Sequence, residues 1–188
     1  MKEILQSSPV IAAVKDAQSL EAACLSPAKV VFLLSGSITD LPDKVQQIKR
    51  AGKRVFVHVD LIDGLKPDKQ GILYISKTVR PHGIISTRPA TIKLAAGCGL
   101  QGVLRIFMID ASAFHTGVQG ISACHPALVE VMPGLLPGII AKLRERVLVP
   151  IVAGGMIEES AQALAALKSG AVAISTSRES LWYGLTEK

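Results

Sequence analysis

At 188 residues with 49% hydrophobic side chains, the chain holds enough apolar material for one domain with a substantial core. No apolar run approaches the roughly 18 to 20 residues of a membrane helix, the N-terminus lacks a secretory signal, and three cysteines without CxxC spacing exclude a disulfide framework or a zinc finger. A reducing cytoplasm is therefore the expected setting, and a net charge of +6 with a pI near 9.4 suits an anionic partner.

Short apolar runs alternate with helical segments along the whole chain. The runs cover residues 10–14, 30–34, 55–60, 83–86, 103–110, 127–132, 150–153 and 171–175. Most are near-continuously apolar, as parallel strands covered by helices should be. The spacing predicts a helix over 41–51, with Asp40 as its cap, Pro42 in its first turn and Gly52 as its stop. The segment after strand five is the least regular, because Gly117 and Gly120 interrupt it. A helix over 136–147 carries Lys142, Arg144 and Arg146 near its C-terminal end, which complements the dipole. Another over 158–169 ends at Gly170. Eight such units predict an α/β fold, a single (β/α)8 TIM-type barrel spanning residues 1–188 at minimal size. The alternative is an open doubly wound sheet, whose GxGxxG turn is absent.

The run Pro150-Ile-Val-Ala-Gly-Gly-Met-Ile157 is followed by a second strand ending in Ser175, Thr176 and Ser177. Adjacent glycines let backbone N–H groups approach a ligand closely. Residues 178–183 read as a short helix just beyond the hydroxyls, and a helix N-terminus offers unpaired N–H groups. In a (β/α)8 barrel the loops after strands seven and eight form the usual phosphate site. Gly154, Gly155, Ser175, Thr176 and Ser177 are therefore the expected phosphate-binding residues, against the plainer reading of a tight turn.

Polar residues also fall where a barrel interior should be apolar. His58 and Asp60 share a parity at the end of strand three, Glu130 lies near the end of strand six, and Arg105 interrupts strand five. A charge within a strand needs a partner. Asp60, Glu130 or an anionic ligand can supply it, so a structural ion pair and a ligand site remain open alternatives. All four residues are expected in one connected cluster at the mouth. Ser35 and Arg88 end strands two and four on the same face, where they can bind ligand or serve at helix starts. The four histidines show no metal-ligand spacing. Mg2+ held by His58, Asp60 and Glu130 is a weaker reading, and no cofactor is expected.

Several blocks together resemble one family. They are Ser35-Gly-Ser37, His58-Val-Asp-Leu-Ile-Asp-Gly64, Gly83-Ile-Ile-Ser-Thr87, Arg105-Ile-Phe-Met-Ile-Asp110, Glu130-Val-Met-Pro-Gly134, Ile151-Val-Ala-Gly-Gly155 and Ile174-Ser-Thr-Ser177, with Trp182. The chain is similar, over essentially its whole length, to the glycerol-3-phosphate-responsive antiterminators, cytoplasmic regulators of bacterial glycerol uptake operons. The HxDLxxG and EVxPG blocks are the specific ones. Arg88 stands where the family usually has lysine and Met132 where leucine is usual; Arg88 keeps the charge but not the geometry. The resemblance implies a non-enzymatic sensor of glycerol 3-phosphate that binds leader mRNA and permits transcription past a terminator.

The residues themselves carry no RNA-binding signature, and 4% aromatics allow little base stacking. Lys49, Arg50, Lys53 and Arg54, like the trio Lys142, Arg144 and Arg146, lie at helix ends toward the N-terminal face. They are the candidate RNA contacts, though each cluster alone reads as a solvated helix end. The rival class is an enzyme of a small phosphorylated metabolite, with Asp60 and Glu130 as acid and base and Arg105 stabilising negative charge. No lysine is read at a strand end, which argues against Schiff-base chemistry. A third reading is a barrel that senses a phosphorylated metabolite and regulates a protein.

Overall fold

Apolar strands of four to seven residues, each followed by a helical segment, bury both faces of their sheet either in an open doubly wound sheet or by closure with helices outside. In the computed structural model, which describes residues 2–185, eight parallel strands close into a barrel in sequence order. The strands are β1 (Val10–Val14), β2 (Val30–Leu33), β3 (Arg54–His58), β4 (Gly83–Ser86), β5 (Gln101–Phe107), β6 (Leu128–Met132), β7 (Ile151–Gly154) and β8 (Ala173–Thr176). A short α1 (Lys2–Ser7) precedes β1. The outer helices are α2 (Ala17–Leu25), α3 (Leu41–Arg50), α4 (Lys69–Tyr74), α5 (Pro89–Gly97), α6 (Ala111–Cys124), α7 (Pro137–Arg144) and α8 (Ser160–Lys168). The expected barrel is thus present in place of an open sheet. Met1 and residues 186–188, included in the single-domain expectation, lie outside the described residues.

Two cores result from strand alternation. One lies between sheet and helices, and the other fills the barrel with Leu5, Val30, Phe32, Phe56, Val103 and Leu128 among others. Phe32 and Phe56 meet edge to face there, with centroids 5.9 Å apart. One step of two residues along β3, β5, β6 and β8 carries the interior from apolar to polar. Phe56 is followed by His58, Val103 by Arg105, Leu128 by Glu130 and Ala173 by Ser175. This upper layer is the floor of the barrel mouth.

Local structure differs from the sequence reading at several points. β3 ends at His58, and Asp60 sits in a 3-10 turn over Val59–Leu61; β5 likewise stops at Phe107. Asp40 does not cap α3. Its backbone is already helical (φ −102°, ψ −14°), and its carboxylate instead accepts the Ser37 N–H at 2.7 Å and pairs with Lys44 at 2.8 Å. The glycine-interrupted segment after β5 is α6, fourteen residues long. Its glycines are close-packing positions: a Cβ at Gly117 would stand 3.3 Å from Ile106, and one at Gly120 would stand 3.2 Å from Pro89. Packing outweighs the propensity deficit there.

Candidate functional site

The β5–β6 register sets Arg105 directly opposite Glu130. Both point inward, and the Arg105 Nε donates to Glu130 Oε2 at 2.6 Å, with Glu130 only 1% exposed. The other carboxylate oxygen accepts the Ser175 hydroxyl at 2.5 Å, although β7 lies between β6 and β8. Gly154 makes that reach feasible. A Cβ there would collide with the Glu130 carboxylate and come within 2.7 Å of Ser175 Oγ. Gly154 and Ser175, expected to hold phosphate, are thus first of all parts of this buried network.

A second network surrounds Asp60. Its carboxylate accepts the Ser86 hydroxyl at 3.0 Å, the Thr87 N–H at 2.8 Å and the Thr87 hydroxyl at 3.2 Å. These bonds tie the β3 loop to the β4 loop. Arg88 lies 3.9 Å away with most of its side chain in solvent. His58 stands between the networks. Its Nδ1 is 4.0 Å from Asp60 and is buried without a hydrogen-bond partner. Burial, reinforced by the Arg105 charge and opposed by Asp60, pushes its pKa down to about 4, so the imidazole is neutral at physiological pH. The expected single cluster is therefore two hydrogen-bonded groups, because Glu130 turns toward β8 and Asp60 toward β4.

A cavity of about 550 Å3 opens above Arg105 and Glu130. Gly155, Ser175, Thr176 and Ser177 line it together with Lys15, Met156, Ile157, Glu158 and Arg178. Loops seven and eight do meet here. The Thr176 hydroxyl donates to the Ile157 carbonyl at 2.7 Å and accepts the Arg178 N–H at 3.0 Å, so it is a latch between the loops. The Trp182 indole donates to the Thr176 carbonyl at 2.8 Å from the short 3-10 helix Glu179–Tyr183. Ser35, His58, Asp60 and Arg88 do not line this cavity. Ser35 belongs to a loop zipped to the β3 loop, where Ile38 donates to the Asp63 carbonyl and Asp63 to that of Gly36.

Lys15 was missed by the sequence reading. It is the residue immediately after β1, so a lysine does occur at a strand end, and it lines the cavity. The signal was available in the run Val-Ile-Ala-Ala-Val-Lys15. Arg178, Glu158, Met132 and Met156 are among the other wall residues that were not candidates from the sequence. Among the described residues, no group of three or more His, Cys, Asp or Glu side chains is placed to hold a metal, and no helix is long and apolar enough to cross a membrane.

The basic cluster at the end of α3 is divided by the fold. Lys53 is buried, and its ammonium donates to the Ser26 and Ala28 carbonyls at 2.5 and 2.7 Å. Burial lowers its pKa. It is a structural tie between the α2–β2 turn and β3, and its amine does not present a nucleic-acid contact. Lys49 is half-buried and donates to the Arg80 carbonyl at 3.1 Å, Arg50 is exposed, and the Nε of Arg54 is buried without a partner.

Comparison with known proteins bears on the whole of this architecture. The family model described as glycerol-3-phosphate responsive antiterminator matches residues 10–182. The Escherichia coli (strain K12) protein YgcP is 34% identical over 179 residues, covering 95% of this chain and 94% of its own. The glycerol uptake operon antiterminator regulatory protein of Listeria monocytogenes superposes with a TM-score of 0.90 at 34% identity, covering 93% of this chain and 95% of its own. A glycerol uptake operon antiterminator-related protein of Thermotoga maritima gives 0.83 at 33% identity, covering 93% and 98%. The chain belongs to the glycerol-3-phosphate responsive antiterminator family.

Proposed function

We propose that this protein senses glycerol 3-phosphate in the mouth cavity and binds the leader transcript of a glycerol uptake operon, letting transcription pass a terminator. The observation that carries the reading is the family match over residues 10–182, a stretch that includes every cavity-lining residue named above. The chemistry of the cavity supports it. Gly155 and Ser177 bring backbone from two loops to one side, and Lys15 and Arg178 add positive charge for a phosphate. At the floor, Glu130 accepts a hydrogen bond from the Nε–H of Arg105, and the two NH2 groups of the guanidinium can donate to a glycerol hydroxyl. A ligand that favours the RNA-competent state must in turn bind more tightly when RNA is present.

An enzyme of a phosphorylated metabolite is less well supported. The Asp60 carboxylate is engaged by Ser86 and Thr87, and that of Glu130 by Arg105 and Ser175, so neither resembles a poised acid or base. Lys15 is solvent-exposed, whereas an amine activated for Schiff-base chemistry is typically desolvated or set beside another cation. Calorimetric titration with glycerol 3-phosphate, glycerol and inorganic phosphate tests the sensor, and a gel shift of leader RNA with and without the ligand tests its output. The expected result is binding of the phosphoester well ahead of glycerol or phosphate and a ligand-dependent shift. Absence of both would remove this reading.

A further inference from the structure

Helices α6 and α7 leave between them a groove of about 510 Å3 on the outer wall of the barrel, distinct from the mouth cavity. Its floor is apolar, formed by Met108, Phe114, Val118, Leu136 and Ile139. Its rim carries Lys142, Arg146 and His115, all exposed. The Lys142 ammonium stands 5.4 Å from the Phe114 ring centroid, and His115 meets the same ring edge-on at 6.1 Å. The one carboxylate in the lining, Asp110, caps α6 by accepting the Ala113 N–H at 2.7 Å. Arg144, the third cation of α7, is turned away and donates to the Val147 carbonyl at 3.1 Å. The sequence reading had grouped these three cations as one patch; the fold sends Lys142 and Arg146 to the groove and Arg144 elsewhere.

We infer that this groove receives an unpaired base of single-stranded RNA, with Lys142 and Arg146 on the flanking phosphates and His115 beside the base as a stacking face. The inference rests on the antiterminator reading and assigns that reading a surface. Charge complementarity selects the occupant. A second copy of this chain seated groove to groove would set Lys142 and Arg146 against the same cations. An apolar helix would leave both charges unneutralised. RNA supplies a phosphate at each nucleotide and a planar base for an apolar slot, the pairing by which unstacked bases are held against aromatic, histidine and guanidinium planes. The α3 patch, by contrast, has lost Lys53 to the interior.

The position of the groove also links it to the mouth. Its walls are the segments that follow β5 and β6, the two strands carrying Arg105 and Glu130. Met108 and Ile109 continue directly from β5, and Ile109 is 85% exposed at the groove edge. A ligand that draws on the Arg105–Glu130 pair therefore acts on the roots of both walls, a contiguous route for coupling.

The test uses an RNA selected by the wild-type protein from a random single-stranded pool in the presence of glycerol 3-phosphate, followed by fluorescence anisotropy. Lys142→Ala with Arg146→Ala should lower the slope of log affinity against log salt by about 1.4, from about 0.7 for each lost phosphate contact. His115→Ala should weaken binding roughly tenfold, the scale of one lost base stack. Both variants should keep the wild-type unfolding midpoint and glycerol 3-phosphate affinity. Selected RNA that binds them with unchanged affinity and slope overturns the groove assignment alone and leaves the antiterminator reading standing. Unchanged RNA binding together with groove occupancy by an amphipathic peptide of glutamate and leucine would mark a protein site instead. A pool that yields no RNA binder overturns both the function and the groove.

Discussion

Arg105 and Glu130 face each other in the β5–β6 register and share a 2.6 Å charged hydrogen bond on the floor of the barrel mouth. The bond is nearly dry, and its second anchor is Ser175 two strands away. A pair of this kind is a weak source of net stability, yet removing one partner strands the other charge.

Glu130→Ala and Arg105→Ala are accordingly each expected to destabilise the fold by about 3 to 5 kcal/mol. The double variant should lose much less than the sum. Urea unfolding of all four proteins closes the cycle, and additive losses would show that the two charges do not act as a pair.

Gly155 has φ +76°, and a Cβ on it would stand 2.6 Å from the Met132 side chain. Gly155→Ala should therefore cost about 1 to 2 kcal/mol from backbone strain, plus the clash. Combining it with Met132→Ala relieves the clash while keeping a Cβ beside the proposed phosphate. That double variant should unfold cooperatively yet bind glycerol 3-phosphate poorly. Wild-type affinity in calorimetry would take Gly155 out of the binding site.

His58 gives the stability a pH dependence of known sign. Its folded pKa is about 4 against an ordinary 6.5, so between those values the unfolded chain binds a proton that the folded chain does not. Stability from this group is complete above about pH 6.5 and is lost as the pH falls toward 4. At about pH 5 the loss should reach about 2 kcal/mol. His58→Gln should lack that part of the acid sensitivity when urea unfolding is compared at about pH 5 and about pH 7.5. Parallel behaviour of the two proteins would refute the buried neutral imidazole.

Lys53 should register in stability and not in RNA binding. Lys53→Met leaves the Ser26 and Ala28 carbonyls without their donor, a loss of about 1 to 3 kcal/mol. The salt slope of RNA binding should stay at its wild-type value. A normal melting temperature with a reduced slope would return Lys53 to the surface patch.

Much of this molecule was legible in the order of its residues. Eight apolar runs, each spaced by a helical stretch, called for parallel strands covered on both sides, with a closed barrel preferred to an open sheet, and the period of two along β3, β5 and β6 turned His58, Arg105 and Glu130 inward. The Gly-Gly and Ser-Thr-Ser segments likewise brought loops seven and eight to one cavity. What the linear pattern could not decide was which partner each polar group takes, because that depends on register between strands distant in sequence and on where side chains are missing. Glu130 chooses Arg105 through the β5–β6 register and Ser175 through the gap at Gly154, leaving Asp60 to Ser86 and Thr87. The same holds for charge. Lys53 and Lys142 look alike in sequence, but one is drawn under the α2 end to satisfy two carbonyls and the other is left at the lip of a groove. Periodicity sets the face a side chain occupies; only the packed structure sets the atoms it meets there.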